Sequence, residues 1–199
     1  MLTKIANRLF YDAYQYKIVL VCKLAQNFRK PKLEKLLNSD TPPGPYTKNI
    51  KDEIYAISLK NQLKGMSDYD VRVEYPWINI YSNCKTDIDN IANIDPGSVK
   101  CIFIPPVDTI LSEGSVIMPN TPFDFRVTLG KIHQENSAFL DWAVNNSNIK
   151  LTNRCIQALS SNKSRAGSYF YVLGDRTLLM TKIHIGGAIT RIERIIKAS

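Results

Sequence analysis

Prolines and glycines cut this chain into short β-branched runs separated by stretches of helical period, and this alternation limits its fold more than any other feature. Tyr16 to Cys22 is the first run, rich in Ile and Val, with Lys17 and Lys23 at its borders. It is far shorter than the ~20 residues of a membrane span. It also lies too deep, with no cleavage site behind it, for a signal peptide. Leu24 to Phe28 and Lys32 to Leu37 read as a helical stretch divided at Pro31. Thr41 to Pro45 is a stiff loop. Ile50, Ile54 and Ile57 then recur at helical spacing between Asn49 and Lys64, with Gly65 placed to stop the helix.

In residues 70–83 Val71, Val73 and Tyr75 alternate on one face, while Ile78 and Ile80 take the opposite phase after Pro76. Either a bulged strand or two strands joined by a bend satisfies this. Residues 85–94 predict a short helix capped by Thr86 or Asp87, and 98–106 a buried strand closed by Pro105 and Pro106. The order over residues 1–104 fits a split βαβ sandwich of ferredoxin type, with a helical excursion inserted early. Residues 105–122 connect, with a brief edge strand at 115–119. In the remainder, 123–199, Phe123, Phe125, Val127 and Leu129 alternate against Asp124, Arg126 and Thr128. Helices follow at 137–144 and from Thr152, a capping residue, to Leu159.

The C-terminal third reads as a β-meander of 168–173, 177–185 and 188–196, turning at Gly174-Asp175 and Gly186-Gly187. The last run also fits a helix through Ile189, Ile192, Ile195 and Ile196. No internal repeat is evident. The expected class is α+β: a mixed or antiparallel sheet with helices mainly on one face, forming one compact unit.

Charge is unevenly distributed. Residues 1–51 hold 10 Lys/Arg against 3 Asp/Glu, 52–148 hold 7 against 13, and 149–199 hold 9 against 2. Two basic ends thus flank an acidic middle; if they meet, they form one cationic surface for an anionic polymer. The four cysteines (Cys22, Cys84, Cys101 and Cys155) have neither zinc nor redox spacing and suit a reducing cytoplasm. Abundant isoleucine and asparagine point to an AT-rich coding genome, as in many phages and some low-GC bacteria.

Tyr169-Phe170-Tyr171, behind the basic loop carrying Lys163 and Arg165, is the stretch with the most functional content. With Phe170 inside, both tyrosines stand outward and can stack on unpaired bases while Arg165, Arg176 and Lys182 hold phosphate. Arg29, Lys30, Lys32 and Lys35 form a second phosphate-contacting patch. Arg165, Gly167, Tyr171 and Val172 resemble in residue type the aromatic octapeptide of RNA-recognition motifs. The spacing differs, Gly174 stands where an aromatic belongs, and no family is assigned. The plain structural alternative is an ordinary half-buried strand.

Asp68 and Asp70 resemble the magnesium-holding Asp-x-Asp of nucleotidyltransferases, though the Gly-Ser and helix that should precede them are missing. Asp87 and Asp89 fit a helix start. His133 and His184 have no ligand-spaced companions, and no phosphate-binding glycine loop is present. The leading expectation is a small non-enzymatic nucleic-acid-binding accessory protein without cofactor or metal. The alternatives are a protein-interaction module, such as a phage modulator of a host enzyme or a virion component anchored by Tyr75, Trp77 and Tyr81, and a nucleotidyl-transfer enzyme.

Overall fold

The structure, a computed structural model, describes residues 2–39, 49–106, 111–130, 137–161 and 167–197. It divides into two units, Met1–Leu111 and Ser112–Ser199. Each is α+β, with a five-stranded mixed sheet.

The first unit runs β1 (Leu2–Ile5), β2 (Tyr16–Val21), a 3-10 turn, α1 (Lys30–Asn38), α2 (Ile50–Lys64), β3 (Tyr69–Glu74), β4 (Trp77–Ser82), α3 (Lys85–Ile94), a second 3-10 turn and β5 (Val99–Ile104). Pro31 does not break a helix. It lies in the first turn of α1, where a missing N–H costs nothing. The Asn49 side chain caps α2 by accepting from the Lys51 N–H, with Asp52 and Glu53 in the first turn. The cap of α3 is Cys84, not Thr86 or Asp87, and the Ser82 hydroxyl accepts the Cys84 N–H instead. The phase switch at Pro76 is a hairpin: Val71 pairs with Ile80 and Val73 with Ile78 across the Tyr75–Pro76 turn. The sheet order is β1-β5-β2-β4-β3. Its last four strands, all antiparallel neighbours, have the arrangement of a split βαβ sandwich. Ile18, Leu20, Val71, Ile78, Ile80 and Ile102 face the helices in one core.

The second unit runs β6 (Ser115–Ile117), β7 (Phe125–Leu129), α4 (Ser137–Val144), β8 (Ile149–Leu151), α5 (Asn153–Ser160), β9 (Ser168–Val172), α6 (Asp175–Ile185), a 3-10 turn and β10 (Ile189–Ile196). Thr152 caps α5 through its side chain. The expected meander is corrected here, because its middle run, 177–185, is helix α6. Thr177, Leu178, Thr181 and Ile185 are its buried positions, one helical stripe. Gly174, at φ +79°, is the residue before the helix, and Asp175 supplies the first-turn acid. β-branched content suggested a strand, but packing against the sheet decided for helix. The ambiguous last run is a strand, held between β6 and β7. Phe125, Val127, Leu129, Phe170 and Val172 form a core with residues of all three helices.

Although the sequence shows no repeat, the two sheets have the same strand order and directions, with α5 inserted between β8 and β9 where the first unit has a hairpin. The second sheet is ordered β6-β10-β7-β9-β8, the counterpart, strand for strand, of β1-β5-β2-β4-β3. In both, the leading strand adds parallel to the last. Ile18 stands between Ile80 and Ile102, and Val127 stands between Phe170 and Ile192, an offset of 90 residues on each of the two later strands. The register also slips at the same place, Lys100 in one sheet and Thr190 in the other. Residues 77–104 therefore have their structural counterparts in 167–194.

Candidate nucleic-acid interface

Strand alternation sorts the second sheet into a helix-covered face and, among the described residues, a helix-free one. Phe170 and Val172 are fully buried on the former, while Tyr169 and Tyr171 are half-buried on the latter. Tyr169 and Tyr171 meet edge to face, ring centroids 5.7 Å apart. The Arg126 guanidinium lies 4.2 Å from the Tyr169 ring, a cation–π contact, and Lys150 pairs directly across from Tyr171. Phe123 stacks on Tyr171 at 5.9 Å. Burial, reinforced by the neighbouring Tyr169, pushes the Tyr171 hydroxyl above its ordinary value, so it stays neutral and able to donate at physiological pH.

Beside them on β10, Glu193 is fully buried between two arginines, 3.7 Å from Arg126 and 3.2 Å from Arg191. One carboxylate thus holds two guanidinium groups on the tyrosine face, and the cluster remains net positive. Arg126, Lys150 and Arg191 were missed by the sequence reading. The signal for Arg126 was present, since it alternates opposite Phe125 and Val127, but only the β7–β9 register places it on the tyrosines' side.

The other expected residues are distributed differently. Arg176 and Lys182 are exposed on α6, which packs against the Phe170 face, so the sheet separates them from Tyr169 and Tyr171. A strand over 177–185 would have brought them into the sheet; a helix takes them away from the tyrosines. Lys163 and Arg165 lie outside the described residues, as does His133. Arg29, which precedes α1, and Lys30, Lys32 and Lys35 along it are exposed in the first unit, with Lys30 ion-paired to Asp70 at 2.9 Å.

Asp70 is also 3.5 Å from Arg72, and Asp68 accepts from the Asn83 amide at 2.9 Å. These two carboxylates are engaged by protein partners. Among the described residues no group of three or more acidic, Cys or His side chains could hold a metal ion. Asp89 pairs with Lys85, and His184 stacks on Trp142 at 4.5 Å. All four cysteines are free thiols, with only Cys84 exposed. No helix among the described residues is long and apolar enough to cross a membrane. Tyr75, Trp77 and Tyr81 do not form one anchor. Tyr75 is exposed in the hairpin turn, Trp77 begins β4, and Tyr81 is buried near its other end.

No protein-family model matches the chain, and no curated protein matches it at a significant level.

Proposed function

We propose that the protein binds single-stranded nucleic acid on the helix-free face of its second sheet, as a non-enzymatic accessory factor. The observation that carries this reading is the juxtaposition of Tyr169 and Tyr171 with Arg126 at 4.2 Å and Lys150 across the ladder. Unpaired bases offer π faces that stack on aromatic rings whatever the sequence, and nearby cations neutralise phosphate. A duplex keeps its bases stacked internally, so this face discriminates for unpaired strands.

Fluorescence anisotropy with labelled single- and double-stranded oligonucleotides, across a salt series, tests the reading. Single-strand binding that weakens steeply with salt is expected. Tyr169→Ala is expected to cost about 1–3 kcal/mol of affinity without lowering the melting temperature. Arg126→Ala and Lys150→Ala should weaken binding to all sequences alike and flatten the salt slope. Absence of single-strand binding at low salt would sink the proposal.

A further inference from the structure

The structural repeat carries more than backbone. Adding 90 to Tyr81 gives Tyr171, and the strand pairings place Lys17 where the second sheet has Arg126. Tyr14 packs on Tyr81 at 6.3 Å, as Phe123 packs on Tyr171, both rings coming from the segment just before the unit's second strand. The helix-free face of the first sheet therefore repeats the ring–ring–cation arrangement of the second. It elaborates it too, for every cation–π contact among the described residues lies on one of these two faces. Lys17 lies within 5.8 Å of the Phe10, Tyr81 and Phe103 rings, Lys4 over Phe103, Arg72 over Tyr11 at 3.4 Å, and Lys100 over Trp77 at 3.6 Å.

One difference changes which rings are offered. Tyr81 is only 3% exposed, because the turn at residues 10–14 folds onto it. Tyr11 and Asp12 both take left-handed backbone, φ 55° and 59°, which non-glycine residues adopt only at a cost. That conformation stands the Tyr11 ring edge-on to Tyr81 at 5.0 Å, with the two hydroxyls 3.3 Å apart. Tyr11 is itself 49% exposed, so the presented aromatic surface moves one layer outward. At the far end of β4, Trp77 is 37% exposed under Lys100, a cation on the residue where the register slips. Lys4, Lys17, Lys30, Arg72 and Lys100 outnumber the carboxylates of the same face and its edge, Asp68, Asp70 and Glu74, with Asp12 in the turn above them.

We infer that the helix-free face of the first sheet is a second surface for single-stranded nucleic acid, with bases stacking on Tyr11 and Trp77 and phosphates held by Arg72 and Lys100. This rests on the reading of the second sheet as a single-strand surface and assigns the chain a second, independent stretch of the same ligand. The excess of cations beside exposed rings selects a polyanion with π faces over an acidic peptide, which would leave the rings unmatched.

The chain has two tryptophans, Trp77 on this face and Trp142, which stacks on His184 of α6 in the second unit's helix layer. In full-length Trp142→Phe protein, Trp77 is the sole tryptophan. Titration with oligothymidylate is expected to quench its fluorescence saturably. The quench should survive when Tyr169→Ala and Tyr171→Ala are added. Arg72→Ala with Lys100→Ala should shift its midpoint about tenfold or more while melting stays unchanged. If Trp142→Phe does not fold, anisotropy on Arg72→Ala/Lys100→Ala in the Tyr169→Ala/Tyr171→Ala background gives the same test, with residual binding lost as the supporting result.

Single-strand binding that Tyr169→Ala and Tyr171→Ala abolish, with Trp77 emission unchanged throughout, overturns this inference and leaves the second-sheet reading standing. Quenching with no effect of the tyrosine variants does the reverse. No binding by either readout removes both.

Discussion

The two units share strand order, directions, register and the position of one β-bulge, while most side chains at equivalent places differ. Ile80 and Phe170 fill the same core position, Ile88 and Leu178 another, and Ile91 is matched by Thr181, all buried. A core position demands only burial and tolerable volume, so identity drifts while the pattern stays. On the helix-free faces the contrast is of kind. Phe103 in the first sheet packs beside Lys17, whereas Glu193 at its counterpart is buried between Arg126 and Arg191. The first face resolves its central cation by ringing it with aromatics, the second by an ion pair. Cation–π attraction and a buried carboxylate are two answers to the same problem, a positive charge drawn out of water.

The largest effects are expected in the two cores. Phe170→Ala should cost about 3–5 kcal/mol and Ile80→Ala about 2–5, each read by chemical denaturation. A cost under ~1 kcal/mol for either would show that the two positions are not equivalent cores.

Glu193→Ala leaves two arginines facing each other without their carboxylate. Because both keep partial exposure to water, roughly 2–3 kcal/mol of destabilisation is expected, below the full loss of a buried pair. Phe103→Ala should cost about 1–2 kcal/mol, since that ring is only half-buried. Denaturation curves that rank Phe103 above Glu193 would reverse the contrast.

The bulge offers a smaller lever. A Cβ on Gly130 would meet the Thr190 methyl at 2.4 Å, while the nearest backbone atom, the Ala188 carbonyl oxygen, lies at 3.8 Å, so the side chain of the bulged residue would have to move. Gly130→Ala should destabilise by about 1–3 kcal/mol. Gly130→Ala with Thr190→Ser, which removes that methyl, should restore most of the loss, as melting temperatures would report. Failure of the rescue would mean the clash is not with Thr190.

The smallest effect concerns thiols, one from each core. Burial pushes Cys22 up to about 11 and Cys155 to about 12, from an ordinary value of 9.0. Both are protonated when folded at neutral pH, and their contribution to stability is fully present below pH ~9. It is lost as pH rises from there toward those raised values, because only the unfolded chain ionises. Native protein should therefore show one fast-reacting thiol, Cys84, and four after unfolding without reductant. Rapid modification of Cys155 in the native state would contradict its burial.

Much of this fold was legible from short-range chemistry. The alternation of Phe125, Val127 and Leu129, the Asn49 and Thr152 caps, and the stop at Gly65 are local signals, and each element they mark is present. The outward phase of Tyr169 and Tyr171 followed from alternation once Phe170 was taken as core. Local signals failed where two elements had to agree. Residues 177–185 carry β-branched side chains that suit a strand, but their buried stripe is satisfied only by a helix on the sheet. That change moved Arg176 and Lys182 to the far side from the tyrosines. The repeat was invisible because its counterparts, such as Ile91 and Thr181 or Phe103 and Glu193, share an environment and not a chemistry. Sequence by itself determined the elements, their alternation and their inward faces, since these depend on neighbours a few residues away. Only the tertiary structure decided which cations join which rings, because cross-strand partners such as Arg126 and Tyr169 are set by sheet register between distant segments.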